Sequence, residues 1–242
     1  SALDASVSGG NNTAIGKQAL TSLTSGTSNT AVGIGSLSTV TTGNDNTAVG
    51  KAVMNSNTGS NNTGVGASAL LANTSGAELT AVGVESLESN TTGAQNVALG
   101  FRALEKNTTA DHNTALGHEA LKLNTTGIDN TAVGADALDA NTTANFNTAI
   151  GARALGANTT GSGSCAVGED ALLVATTGTQ NNAMGQSALR SLTTGSYNIG
   201  LGANSLASTT TADNNTAVGH AALNANTTGT QNVAVGNNTL DG

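Results

Sequence analysis

Few side chains in this sequence could do chemistry, and they are scattered. The candidates are His112, His118, His220, the single Cys165 and the carboxylates Asp45, Asp111, Asp129 and Asp213. A metal needs clustered ligands in fixed geometry, and His112 and His118 stand six residues apart with His220 remote along the chain. All three are expected on solvated surface. A nucleophilic cysteine needs a base placed to take its proton, and no such base is spaced for Cys165, which is expected to be a small buried residue. A calcium ladder would need carboxylates recurring in one column of a repeat. The four aspartates, with Glu78 and Gln95 in similar places, mark only a minority of repeats and are expected in solvated turns. No G-x-S-x-G, H-E-x-x-H or phosphate-loop pattern occurs. The sequence therefore predicts no catalytic, cofactor-binding or metal site, no cofactor, and a protein that is not an enzyme.

What surrounds these residues is a repeat, N-T-A-V-G-x-x-A-L-x-x-N-T-T-G-x-x, seen plainly from Asn130 to Gly134 and onward. The glycine at its fifth position recurs from Gly16 to Gly236 at intervals of 17, with a single interval of 16. Counting Asn130 as position 1, that column is Asn in 12 of 14 repeats, the exceptions being Leu79 and Ser164. Such a column suits a side-chain amide bonding backbone at a turn, copy upon copy. Position 2 interchanges Thr, Val, Ile, Cys and Asn, as a strand position does. Position 3 is Ala or Gly, position 4 is always aliphatic or Met, and position 9 is Leu except at Met54. Positions 4 and 9, such as Val133 and Leu138, are the expected core. The variable positions 6 and 7 carry many charges and are expected to face solvent.

With only positions 4 and 9 strongly apolar there is no i, i+3, i+4, i+7 stripe, and Gly, Thr and Asn are poor helix formers. The predicted fold is all-β: a parallel β-solenoid of about 14 coils, two or three short strands per coil, stacked at about 4.8 Å per rung. The expected organisation is a lead-in over 1–11 and one solenoid domain over 12–242. The last repeat is incomplete at Leu240-Asp241-Gly242, so the chain is expected to be a fragment of a longer protein.

Composition limits the partners. Thirty-two Gly, no Pro, no Trp, two Phe and one Tyr leave only small residues for a thin core. A net charge of -8 with 9% charged residues offers no basic patch for nucleic acid or an anionic membrane. One cysteine makes no internal disulfide. No apolar run is long enough for a spanning helix, and the start SALDASVSGG lacks a signal-peptide pattern. The Asn-Thr-Thr sequons, as at Asn90 and Asn107, follow from the repeat. Two large aliphatics per rung, at about 1.5–3 kcal/mol each, must offset roughly 1–2 kcal/mol of backbone entropy per residue. A lone stack is thin, and the smooth Ala/Gly column at position 3 is expected to face a neighbouring chain in a side-by-side homotrimer.

The repeat N-T-A-V-G-x-x-A-L-x-x-N-T-T-G resembles those of phage tail-fibre and bacterial surface-fibre proteins, which often end in an endosialidase-type intramolecular chaperone domain. It is also similar to the heads of trimeric autotransporter adhesins, whose shorter repeat folds as a trimeric parallel β-roll. The resemblance covers Asn12 to Leu240 and implies an extracellular structural or adhesive segment on a virion or cell surface. Contact with a receptor or surface glycan would fall on variable positions, with Phe101, Phe146 and Tyr197 as stacking points. The alternative expectation is an ice-binding solenoid with a flat Thr/Asn-rich face. Such a face favours Thr-x-Thr columns, whereas Thr125 and Thr126 are adjacent and would point to opposite faces of a strand.

Overall fold

The structure is a computed structural model and describes residues 2–3 and 8–241. Part of the 1–11 lead-in, residues 1 and 4–7, lies outside the described residues, as does residue 242. The chain is all-β and forms two compact units, 1–119 and 120–242. The first holds β1 (Thr13–Ile15), β2 (Thr30–Val32), β3 (Thr47–Val49), β4 (Thr63–Val65), β5 (Thr80–Val82), β6 (Val97–Leu99) and β7 (Thr114–Leu116). The second holds β8 (Thr131–Val133), β9 (Thr148–Ile150), β10 (Cys165–Val167), β11 (Asn182–Met184), β12 (Ile199–Leu201), β13 (Thr216–Val218) and β14 (Val233–Val235). Within each unit every strand pairs in parallel with the next, repeat position against the same repeat position, as in Thr131↔Thr148 and Val133↔Ile150. Each unit is thus a β-solenoid with 17-residue coils. The short repeat keeps this register, with Thr47 opposite Thr63.

Each coil holds one strand of three residues rather than two or three strands. The rest of the coil is irregular because three non-glycine residues per turn adopt left-handed backbone. In one coil these are Asp136 (φ 56°), Leu138 (φ 52°) and Phe146 (φ 59°). Such a residue costs roughly 1–2 kcal/mol in a regular left-handed conformation, and the hydrogen bonds it releases offset that cost. At position 9 the N–H is aimed onward, Leu138 to Ala154 O at 3.0 Å, while at position 7 it is aimed back, Arg153 to Ala135 O at 2.9 Å. Position 5 needs glycine for a different reason. Gly33 has φ 134°, and a Cβ there would sit 2.1 Å from Gly50 O in the next coil.

The core differs from the expected one on the strand. Leu138 at position 9 is buried as expected, together with Ala137, Asn130 and Asn141. The strand residue turned inward, however, is Ala132 at position 3, fully buried, while Thr131 and Val133 face outward and are half-buried. A side chain period of two makes the two assignments mutually exclusive. Space decides between them, because the interior already contains Ala and Leu of positions 8 and 9 and two columns of asparagine. Where position 8 is Val53 and position 9 is Met54, position 3 falls to Gly64, whose added Cβ would meet Val53 Cγ1 at 2.6 Å. An interior that tight admits no valine on the strand.

Two substitutions separate the arrangements. Leu138→Ala should lower the unfolding free energy by about 2–5 kcal/mol, and Ala132→Leu should cost about 1–3 kcal/mol by overpacking, both read by denaturant unfolding. An outward Ala132 would leave the second change close to neutral.

Candidate interaction surfaces

The asparagines make the interior specific. Asn29 Nδ2 donates to Gly43 O at 2.8 Å, and its Oδ1 accepts the Asn46 N–H at 3.1 Å in the next coil. Asn130 does the same with Ala144 O at 2.9 Å and the Asn147 N–H at 3.0 Å. Leu79 offers no such acceptor and interrupts the column, whereas Ser164 Oγ still accepts the Asn181 N–H at 3.2 Å. A second ladder runs through position 12. Asn90 Nδ2 donates to Asn73 Oδ1 at 2.8 Å and to Gly93 O at 2.9 Å, and Asn141 Nδ2 donates to Asn124 Oδ1 at 2.8 Å. These amides are fully buried, so the sequons at Asn90 and Asn107 present no accessible nitrogen. Position 13 is threonine because its hydroxyl is used as well: Thr108 O accepts from Thr91 N (2.8 Å), Thr92 N (3.2 Å), Gly93 N (3.4 Å) and Thr91 Oγ1 (2.9 Å).

The residues singled out for chemistry are not brought together into one site within either unit. His112, His118 and His220 are exposed, as expected. Cys165 is outward on β10 and half-buried rather than in the core, with Thr148 and Asn182 as its strand neighbours. Asp45 and Asp129 are exposed in turns. Asp111 and Asp213 are more than solvated turn residues. Their carboxylates accept the backbone N–H of Ala94 and Ser196 in the preceding coil, both at 2.7 Å. At this position, 16, the backbone N–H finds no carbonyl in the ladder, and Asn44 and Asn145 serve the same purpose for Thr27 and Ile128. Phe146 and Tyr197 stand exposed in separate coils.

Charge is concentrated at positions 7 and 10 near the middle of the chain. In the first unit Arg102 Nε donates to Glu85 Oε2 at 2.6 Å and lies 3.7 Å from Glu105 Oε2, while Lys106 Nζ reaches Glu105 Oε1 at 2.5 Å. The Glu85 hydrogen bond raises the Arg102 pKa, and the Glu105 hydrogen bond raises that of Lys106. Phe101 stacks on His118 at 5.4 Å and carries the Arg102 guanidinium 4.8 Å above its ring. In the second unit Arg153 pairs with Asp170 at 2.8 Å and Glu169 at 3.2 Å. Glu88 has its pKa raised, first by burial and then by Glu85 and Glu105.

The outward strand face is of another kind. Among the described residues, positions 2 and 4 carry no charged residue in any of the fourteen strands. The column includes Ile15, Leu99, Ile150 and Met184, exposed at 61, 48, 41 and 53%. Soluble chains do not usually leave aliphatic residues aligned in this way unless something covers them. No helix among the described residues is long and apolar enough to cross a membrane. No protein-family model, curated protein or solved structure matches the chain.

Because the Glu88 pKa is higher in the folded chain than in the unfolded one, its ionised form opposes folding. That opposition is absent below the unfolded value and is fully present above the folded value. Glu88→Gln should therefore raise the melting temperature at neutral pH. The gain should vanish in acid, once Glu88 is protonated in both states, as read by thermal unfolding across pH.

Proposed function

We propose that the chain is a non-enzymatic structural and adhesive fibre segment, displayed outside the cell on a virion or cell surface, whose copies associate side by side as a homotrimer. It mediates attachment to a host or surface and binds neither nucleic acid nor membrane. The observation that carries this reading is the uncharged Thr/aliphatic strand face. The contact lies there and not on the position-3 column, which is inside the coil. Seven rungs at about 4.8 Å give each unit a strip of about 30 Å. Covering two such strips approaches the ~800 Å² per partner of a stable interface. A face three residues wide, about 10 Å, is narrow for a sandwich of two and suits three wedges meeting along an axis. The regular backbone supports a structural role, since nearly every group is already spent on the neighbouring coil. The repeat's likeness to tail-fibre, surface-fibre and trimeric adhesin repeats points the same way.

A second reading, ice binding, gains one observation. Thr30, Thr47, Thr63 and Thr80 align in register on the outward face with an aliphatic two residues on, while the Thr125 type of hydroxyl is committed to the next coil. The column is broken by Val97, Asn182 and Ile199, which favours protein contact over a lattice of bound water.

Sedimentation equilibrium should give three times the chain mass, and Val49→Lys with Leu99→Lys should give a folded monomer. A wild-type monomer at micromolar concentration would overturn the trimer. Thermal hysteresis from the wild-type chain, lost on replacing Thr47 and Thr63 by Lys, would establish the second reading instead.

A further inference from the structure

We infer that the first unit carries a saccharide-binding groove over its first three coils; this rests on the adhesive reading and names its ligand. The groove has a volume of about 480 Å³, within the range of small-ligand sites, roughly 300–1,000 Å³. It exists because position 7, which carries Glu85 and Arg102 farther along, is here Gly35 and Ala52. A Cβ built on Gly35 would meet nothing closer than Ala52 Cα at 4.0 Å. The walls come from Gln18, Thr21, Ser38 and Asn55, with exposed Ile34 and Lys51 at the rim.

The chemistry of the lining selects the ligand. The backbone is already paired, as in Gly35 N–H to Lys17 O at 2.9 Å and Ala52 N–H to Ile34 O at 2.8 Å, so an extended peptide finds no free strand edge here. The apolar lining is confined to Ile34, Gly35 and Ala52 beside the polar walls. What remains is a set of close-set hydroxyls and amides. Thr21 Oγ1 donates to Ser38 O at 3.1 Å, and Ser38 Oγ donates to Asn55 Oδ1. Both hydroxyl oxygens keep lone pairs to accept with, while Asn55 Nδ2 has no acceptor among the described residues and remains to donate. A vicinal diol presents a donor and an acceptor on neighbouring atoms and complements this pattern. Ile34 offers an apolar wall to the C–H face of a sugar ring, and Lys51 adds preference for a carboxylated sugar. The ligand class is therefore a short oligosaccharide, bound weakly at one groove and more tightly when several copies of the chain display it together.

The test is saturation-transfer NMR and calorimetry on the full chain with maltotriose, cellotriose, N-acetyllactosamine and sialyllactose. At least one should bind at millimolar concentration. Gly35→Gln should fill the groove in the same backbone conformation, since Gln18 adopts φ 62° at that repeat position, at the modest cost of a left-handed non-glycine residue. It should weaken binding at least tenfold at unchanged oligomer mass, with the chain still folded and its melting temperature only slightly lowered. Asn55→Ala, which leaves the groove open but removes its donor, should weaken binding severalfold. Absence of binding by all four sugars, or binding that neither substitution alters, would overturn the inference. Oligomer mass tests the fibre reading separately, because neither substitution touches the strand face.

Discussion

The structure depends on in-register hydrogen bonding between coils. Once position n of one coil pairs with position n of the next, every side chain stacks on its own equivalent, and each position must hold a residue that tolerates itself as a neighbour. Asparagine does so because its amide both donates and accepts, so a buried column can satisfy itself where a column of buried carboxylates would repel. Threonine at position 13 does so by donating its hydroxyl to the carbonyl above, as Thr91 does to Thr108. A buried polar group costs little when fully bonded and about 1–3 kcal/mol when one partner is lost. That asymmetry accounts for the uniformity of these columns.

The same constraint explains the thin apolar core. Space inside a coil is divided between two asparagine columns and Leu at position 9, which leaves the strand room for Ala alone. Where neighbouring coils contribute Val53 and Met54, even Ala is too large and Gly64 takes its place. The larger aliphatics are displaced to the outside, and a solenoid whose interior is filled with amides acquires an apolar exterior strip.

Much of this was legible in the sequence, and its limits are physical. The 17-residue period, the parallel stack, the Asn column of position 1 and the burial of Leu138 follow from repetition alone. The orientation of Ala132 against Val133 did not, because large aliphatics are ordinarily the inward residues and the volume already taken by Asn141 cannot be seen without knowing that it is buried. One signal was available: position 3 becomes Gly64 in the coil after Val53 and Met54, as a shared cavity demands. The Asn column of position 12 is visible in the repeat, but its role as a second buried ladder was not, because Leu23, Val40, Ala175 and Leu192 take the same place in other coils. The groove over Gly35 was missed because a small residue in a variable column leaves space rather than a motif.

The assembly proposed for this chain turns on the outward face of the strand and its covering by other copies. Cys165 lies on that face at position 2 and is the chain's only thiol, so its alkylation rate reports the face directly. Labelling should be rapid in dilute solution and should slow as protein concentration rises through the range where the sedimenting mass increases. Labelling that is slow at every dilution in the folded chain, or fast at every concentration, would contradict that assembly.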